Sequence, residues 1–309
     1  MEKLVLIDGN AIIHRAFHAL PPLNNNQGVP TNAVYGFFSM LFKIIGDLKP
    51  EYLIVCFDKK APTFRKQLYV GYQAKRPKMS DDLIPQIDVV HKALDEAKIV
   101  HFEIDGYEAD DLIGTLSVKA KEKDLQTIIV SGDRDLLQLV NSKVLMLAPI
   151  VGITNMILFD VAKVKDKYGL NPEQIIDYKA LVGDPSDNYP GVTGIGPKTA
   201  SSLLQKYKTL EGVYHSLGEL APNLQEKLAQ DAEQAAMAKK LATIIIDAPV
   251  KLEETLSEIK KIDKDALKKV FENLGFNSLI KRMSQLEPKP VVKKQSQKKE
   301  EDENQMSLL

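Results

Sequence analysis

The chain has 309 residues, 44 % of them hydrophobic and 27 % charged, enough for one large or two ordinary domains with a sizeable core. A net charge of −1 means that the totals announce no nucleic-acid partner, and no apolar run reaches the ~20 residues that span a membrane. The start, MEKLVLIDGN, carries an acid at position 2 and does not read as a signal peptide, and the single cysteine, Cys56, lies inside the apolar run YLIVCFD and reads as a core thiol of a cytoplasmic protein.

In chain order, KLVLID (3–8), YLIVCFD (52–58), KIVHFEI (98–104) and QTIIVSGD (126–133) read as buried strands. Helical patterns lie between them at about 31–48, 82–97 and 107–123. The alternation predicts an α/β fold: a mostly parallel sheet with helices on both faces. From about residue 160 the pattern is helical only, with no internal repeat. The predicted division is an α/β core over 1–160, a helical region over 161–285 and a polar tail, expected to be disordered, over 286–309.

In parallel α/β sheets functional groups gather beyond the carboxyl ends of the strands. The first strand ends in Asp8 and the second in Asp58; the third is followed by Glu108, Asp110 and Asp111, the fourth by Asp133 and Asp135. The helical region adds Asp184 and Asp187 in GDPSDN. Alone, GYEADD could simply cap a helix, since acids near a helix start favour the exposed N–H groups and the dipole. Together these acids ask for a counter-charge, because carboxylates ~6 Å apart repel by ~3 kcal/mol at an effective dielectric of 20. All-oxygen ligation suits Mg²⁺ or Mn²⁺, and no Cys/His cluster supports zinc. Two such ions are a known device for phosphoryl displacement.

The stretch 59–80 holds seven Lys and Arg and no acid, with Phe64, Tyr69 and Tyr72 interleaved. It reads as a solvated basic loop or, beside the acids, as a grip on a nucleic-acid strand through phosphates and bases. In GVTGIGPKTA (191–200), Gly191, Gly194 and Gly196 free backbone N–H groups at a helix start, Lys198 adds charge and Thr199 is a candidate cap. The order and spacing of a P-loop are absent.

With these residues in view the chain resembles the 5′-nuclease (flap endonuclease) superfamily, most closely the 5′→3′ exonuclease domain of bacterial DNA polymerase I and its free-standing relatives. The matching stretches, in family order from residue 3 to about 280, are LIDGNAIIHRAFHAL, TNAVYGF, FDKKAPTFR, GYEADD, SGDRDLLQL and GDPSDNYPGVTGIGPKTA. The resemblance implies a PIN-like core, a helical arch at about 60–90, and a helix–three-turn–helix (helix–hairpin–helix) DNA-binding element near 184–207 that also holds a monovalent cation such as K⁺. It implies hydrolysis of DNA phosphodiesters near 5′ ends or at branch junctions, as in flap and primer removal during replication and repair. It places Asp8, Asp58, Glu108 and Asp110 in the tighter metal group and Asp111, Asp133, Asp135, Asp184 and Asp187 in the rest. Tyr72 and Arg76 match the arch motif Tyr-Lys-x-x-Arg, but Gln73 stands where the family has its Lys; Lys75 is the candidate substitute. Arg15 and Arg65 match basic, DNA-contacting positions. The terminal QMSLL, with Gln305, Leu308 and Leu309, resembles the bacterial sliding-clamp motif. No polymerase region follows, so the chain reads as free-standing or as an isolated domain, a monomer associated with the bacterial nucleoid. The alternative is a DNA-junction binding protein with weak or no hydrolysis. A haloacid-dehalogenase-type phosphatase is disfavoured, since Asp8 is followed by Gly9 and Asn10 rather than by an acid two residues on.

Overall fold

The computed structural model describes residues 1–153 and 155–283. The tail with its clamp-like tip lies outside the described residues. The first region runs β1 (Lys3–Asp8), α1 (Gly9–Ala19), α2 (Asn32–Leu48), β2 (Tyr52–Cys56), α3 (Phe64–Leu68), α4 (Ile84–Glu96), β3 (His101–Phe102), α5 (Ala109–Glu122), β4 (Gln126–Val130), β5 (Val144–Val151) and β6 (Asn155–Phe159). These strands form one sheet in the order β3-β2-β1-β4-β5-β6, parallel except for the antiparallel β5–β6 pair. Sequence reading ended the sheet at four strands. The structure adds the hairpin β5–β6, whose first strand carries Pro149 near a register shift, a residue that weakens a strand signal.

The central strands β1, β2 and β4 are apolar over most of their length because helices cover both faces of the sheet. In β1, Val5 and Ile7 face a core with Phe37, Phe38 and Phe42 of α2, while Leu4 and Leu6 face one with Leu112, Ile113 and Leu116 of α5. The two-residue period of a strand makes that division. Cys56 is fully buried in the second core, and burial pushes its thiol well above the ordinary value.

The helical region comprises α6 (Val161–Tyr168), α7 (Ile175–Val182), the ribbon β7 (Gly183–Asp184) and β8 (Tyr189–Pro190), α8 (Pro197–Tyr207), α9 (Leu210–His215), α10 (Pro222–Gln230) and α11 (Ala232–Ala242). Leu181, Val192, Ile195, Leu203, Leu204 and Leu228 centre its own core. After α12 (Glu254–Ser257), α13 (Lys264–Leu274) and α14 (Asn277–Arg282) return to the first region, where Leu267, Phe271, Phe276 and Leu279 join the α2 core. The helical region is therefore not one block to residue 285: its last two helices belong to the core of the sheet.

The segment expected to form the arch, about 60–90, holds α3, a run of turns and the start of α4. Between 60 and 83 the only helix is the five-residue α3; turns follow, and Tyr72 packs with Tyr189, Leu241 and Ala242 of the helical region. Gly71 and the positive φ of Gln73 (56°) break a continuous helix there.

Candidate metal centre and nucleic-acid interface

Asp8 ends β1 and caps α1, its Oδ1 accepting the Ala11 N–H at 2.9 Å and its Oδ2 the Ser131 hydroxyl at 2.6 Å. The following Gly9 is required by close approach: a Cβ there would sit 2.1 Å from the Phe57 ring. Asp58 follows β2, its N–H donating to Asn10 Oδ1 at 3.0 Å and its Oδ1 accepting the Ala109 N–H at 2.8 Å. Asp58 is thus held at the first turn of α5, beside Glu108 and Asp110. Asp133 accepts the Asp135 N–H at 2.9 Å in the turn after β4. From the helical region, α7 and the ribbon deliver Asp184 and Asp187. Gly183 and Gly191 hold that ribbon shut: a Cβ on Gly183 would lie 2.4 Å from the Gly191 nitrogen, and Gly183 has φ +78°.

Burial and mutual repulsion mark this as one electrostatic site. Burial, then Asp58, raises the Asp8 carboxyl to about 7. Burial, then Asp133, raises Asp135 to about 7. Burial followed by Asp133, Asp8 and Asp58 pushes Asp110 well above the carboxylate range, and burial raises Asp133 and Glu108. Among the described residues, the trio whose ligand atoms all lie within 4.8 Å of one another is Asp135, Asp184 and Asp187. Asp8, Asp58, Glu108 and Asp110 do not close to that span.

Sequence reasoning missed Lys179. Its ammonium contacts both Asp135 and Asp184 and is 15 % exposed. Burial would raise Asp184, but Lys179 and the Ser186 bonds outweigh it and hold that carboxyl below its usual range. The signal was present: a lone cation in the apolar helix IIDYKALV, five residues before Asp184. Ser131, Asn10 and Thr63, which orient the acids, were also missed, because short polar side chains near strand ends usually serve turns.

Two sequence assignments are corrected. Asp111 is fully buried with Arg65 across both its oxygens, so it has no face left for an ion; it accepts two bonds at 2.8 Å from that guanidinium. Arg65, read as a DNA contact, is 3 % exposed and therefore internal. Tyr72 is buried with its hydroxyl 3.1 Å from Glu108 Oε2 and 3.2 Å from Asp187 Oδ2, and Arg76 donates to Asp187 Oδ1 at 2.6 Å. The Gln73 N–H donates to the Asp187 carbonyl at 2.8 Å, while Lys75 is exposed and forms no ion pair among the described residues. Arg15 donates through Nε to the Gly152 carbonyl at 2.9 Å. At the Gly-rich turn, Gly194 has φ +76°, Lys198 is exposed, and Gly196 is the N-cap of α8 with no side-chain capping bond; Thr199 does not cap. The first N–H groups of this 11-residue helix are left for an external acceptor.

The donor set, all carboxylate oxygen with charges that oppose one another in a buried site, fits divalent ions of the Mg²⁺ or Mn²⁺ type. No helix among the described residues is long and apolar enough to cross a membrane.

Residues 3–169 match the family model "5′-3′ exonuclease, N-terminal resolvase-like domain" and residues 170–265 match "5′-3′ exonuclease, C-terminal SAM fold". A 5′-3′ exonuclease of Aquifex aeolicus is 39 % identical over 286 residues, covering 93 % of this chain and 96 % of its own. DNA polymerase I of Bacillus subtilis is 42 % identical over 285 residues, 92 % of this chain but 32 % of its own, so the chain spans about a third of that relative's length. In fold, the bacteriophage T5 D15 flap endonuclease, solved with DNA and metal ions, aligns with a TM-score of 0.65 at 20 % identity over 91 % of this chain and 100 % of its own. The Rad2 catalytic core with DNA substrate aligns at 0.57 and 16 % identity, covering 92 % and 90 %. By the two family models, which together span residues 3–265, and by the full-length match to the Aquifex aeolicus protein, the chain belongs to the 5′-3′ exonuclease family.

Proposed function

We propose that the protein is a metal-dependent, structure-specific 5′-nuclease that hydrolyses DNA phosphodiesters near 5′ ends or branch junctions, in primer and flap removal. The observation that carries this reading is the convergence of acids from the sheet edge and from the helical region on one buried site, where Asp8 and Asp135 are raised to about 7. Pure binding of DNA gains nothing from such repulsion toward phosphate. Asp8, Asp58, Glu108, Asp110 and Asp133 would serve one ion and Asp135, Asp184 and Asp187 a second. Bound there, such ions supply hydroxide near neutral pH and charge for the leaving oxygen.

The chain's own residues bind and orient. Arg76, 48 % exposed at the rim and paired with Asp187, offers free donors to a phosphate beside the acids. Tyr72 holds Glu108 and Asp187 together from the segment that carries Arg76. The uncapped start of α8 with Lys198 grips duplex backbone without reading bases, and the Gly-rich turn of Gly191, Gly194 and Gly196 would hold a K⁺ ion that adds positive charge toward phosphate. Lys75, exposed two residues beyond Gln73, supplies the charge that Gln73 lacks. On its sequence alone, the tip with Gln305, Leu308 and Leu309 is a sliding-clamp ligand; titration with the clamp before and after removal of 305–309 tests it, and equal affinity ends it. The protein acts as a monomer at the nucleoid.

The test is a labelled 5′-flap substrate with Mg²⁺, Mn²⁺ or EDTA. Product in either ion and none in EDTA is expected. Flap binding without product in any ion would overturn the reading in favour of a junction-binding protein.

A further inference from the structure

Arg65 stands in the basic stretch 59–80 and points inward. Its Nη1 and Nη2 donate to Asp111 Oδ2 and Oδ1 at 2.8 Å each, its Nε donates to the Leu241 carbonyl at 2.9 Å, and Nη2 also donates to the Thr243 carbonyl at 2.9 Å. Asp111 in turn accepts the Ile245 N–H at 2.9 Å and the Glu108 N–H at 3.1 Å. One ion pair therefore joins three parts of the fold: α3, the first turn of α5 and the segment leaving α11. A buried pair of this kind is weak evidence for stability. What it provides is a fixed angle, because a planar guanidinium fork meets a carboxylate in one register.

Both neighbours of the pair lead to the acidic site. Thr63, two residues before Arg65, donates to Glu108 Oε1 at 2.9 Å, and Arg65 Nη1 itself lies 3.4 Å from Glu108 Oε2. Seven residues after Arg65, Tyr72 reaches Glu108 Oε2 and Asp187 Oδ2. Glu108 is thus held through its backbone by Asp111 and through its carboxylate by the segment that Arg65 anchors.

We propose that Arg65 and Asp111 form a positioning clamp that sets Glu108 and the Tyr72–Arg76 stretch over the acidic site, and that neither touches metal or DNA. The clamp rests on the nuclease reading for its consequence in turnover, not for its existence.

The test uses the full chain. Arg65→Lys keeps the charge but loses the fork; kcat on a 5′-flap should fall about 100-fold, as expected for a ~1 Å misplacement, with KM and the Kd for flap DNA in EDTA within about twofold. Hydrogen exchange at the Tyr72 and Gln73 amides should quicken about tenfold while Leu6 and Ile54 in the strands stay protected, which separates local release from unfolding. Asp111→Asn should keep Mn²⁺ affinity within about twofold in a calorimetric titration, where Asp110→Asn loses it. Mn²⁺ binding lost equally in Asp111→Asn and Asp110→Asn would make Asp111 a ligand and overturn the clamp. A DNA Kd raised as much as kcat falls would make Arg65 a DNA contact, and unchanged exchange at Tyr72 would remove the anchor; either overturns it. If Arg65→Lys does not fold, the Asp111→Asn titration decides alone. Exchange and Mn²⁺ binding are read without cleavage, so a wild-type chain that cut no flap would sink the nuclease reading and leave the clamp testable.

Discussion

On the sheet side of the site, Asp8, Asp58 and Asp110 form no ion pair among the described residues; a serine hydroxyl and two backbone N–H groups hold Asp8 and Asp58. On the helical side, Asp135 and Asp184 share the Lys179 ammonium and Asp187 is paired with Arg76. The same residue type has been placed in two electrostatic settings. Where acids face only one another, burial and repulsion raise them, as at Asp8 and Asp110. Lys179 and the Ser186 bonds hold Asp184 below its usual range, while burial and Asp133 still raise Asp135, which Lys179 also contacts, to about 7. The lesson is that an external cation gains most on the sheet side, whereas on the helical side it must share the acids with Lys179.

Breaking the sheet side should have the largest effect. Asp110→Asn removes an uncompensated carboxylate, and flap cleavage should fall about 1,000-fold, ~4 kcal/mol of transition-state stabilisation, with flap binding in EDTA retained. Equal loss of binding and cleavage would place Asp110 outside the metal centre. Next, Lys179→Met removes the internal competitor. Calorimetric titration should show the weaker Mn²⁺ site tightened about tenfold, and weaker binding would mean that Lys179 holds the acids in place rather than opposing an ion.

The two sides should also answer to pH. Asp8 and Asp135 rise from 3.8 to about 7 on folding, so the ion-free protein binds more protons folded than unfolded in that window. Its stability is greatest below the unfolded value and falls as pH rises from 3.8 through about 7. In EDTA, Tm at pH 8 should lie on the order of 5 °C below that at pH 5 from these groups, and Mn²⁺ should reverse the order by favouring the ionised forms. A thermal-shift series across pH with and without the ion checks the sign. The smallest effect belongs outside both halves: Lys198→Ala should weaken duplex binding about threefold and reduce the salt slope by about one, leaving Mn²⁺ affinity alone.

Much of the site was legible because strand-end position is written in the chain. An apolar run that stops at Asp8 or Asp58 must deliver that side chain to the sheet's carboxyl edge, whatever packs around it. The fate of neighbouring acids was not legible. Asp110 and Asp111 are adjacent, hence about 100° apart around α5, so one faces the other acids while the other turns to Arg65. Nor did the basic stretch reveal that Arg65 is internal while Lys75 is exposed, since charge and spacing are alike and only contact with the end of α11 separates them. Gln73 was visible as a departure, but its left-handed backbone and its bond to the Asp187 carbonyl were not.

The sequence by itself determined the four parallel strands, the helices between them and the acids at their ends, because period and strand termination are local properties of the chain. Tertiary structure alone decided that α13 and α14 return to the first core, that Lys179 stands among the helical-side acids, and that Asp111 is spent on Arg65. Each of these is a contact between residues far apart in the chain, chosen by packing and charge compensation, which no local pattern encodes.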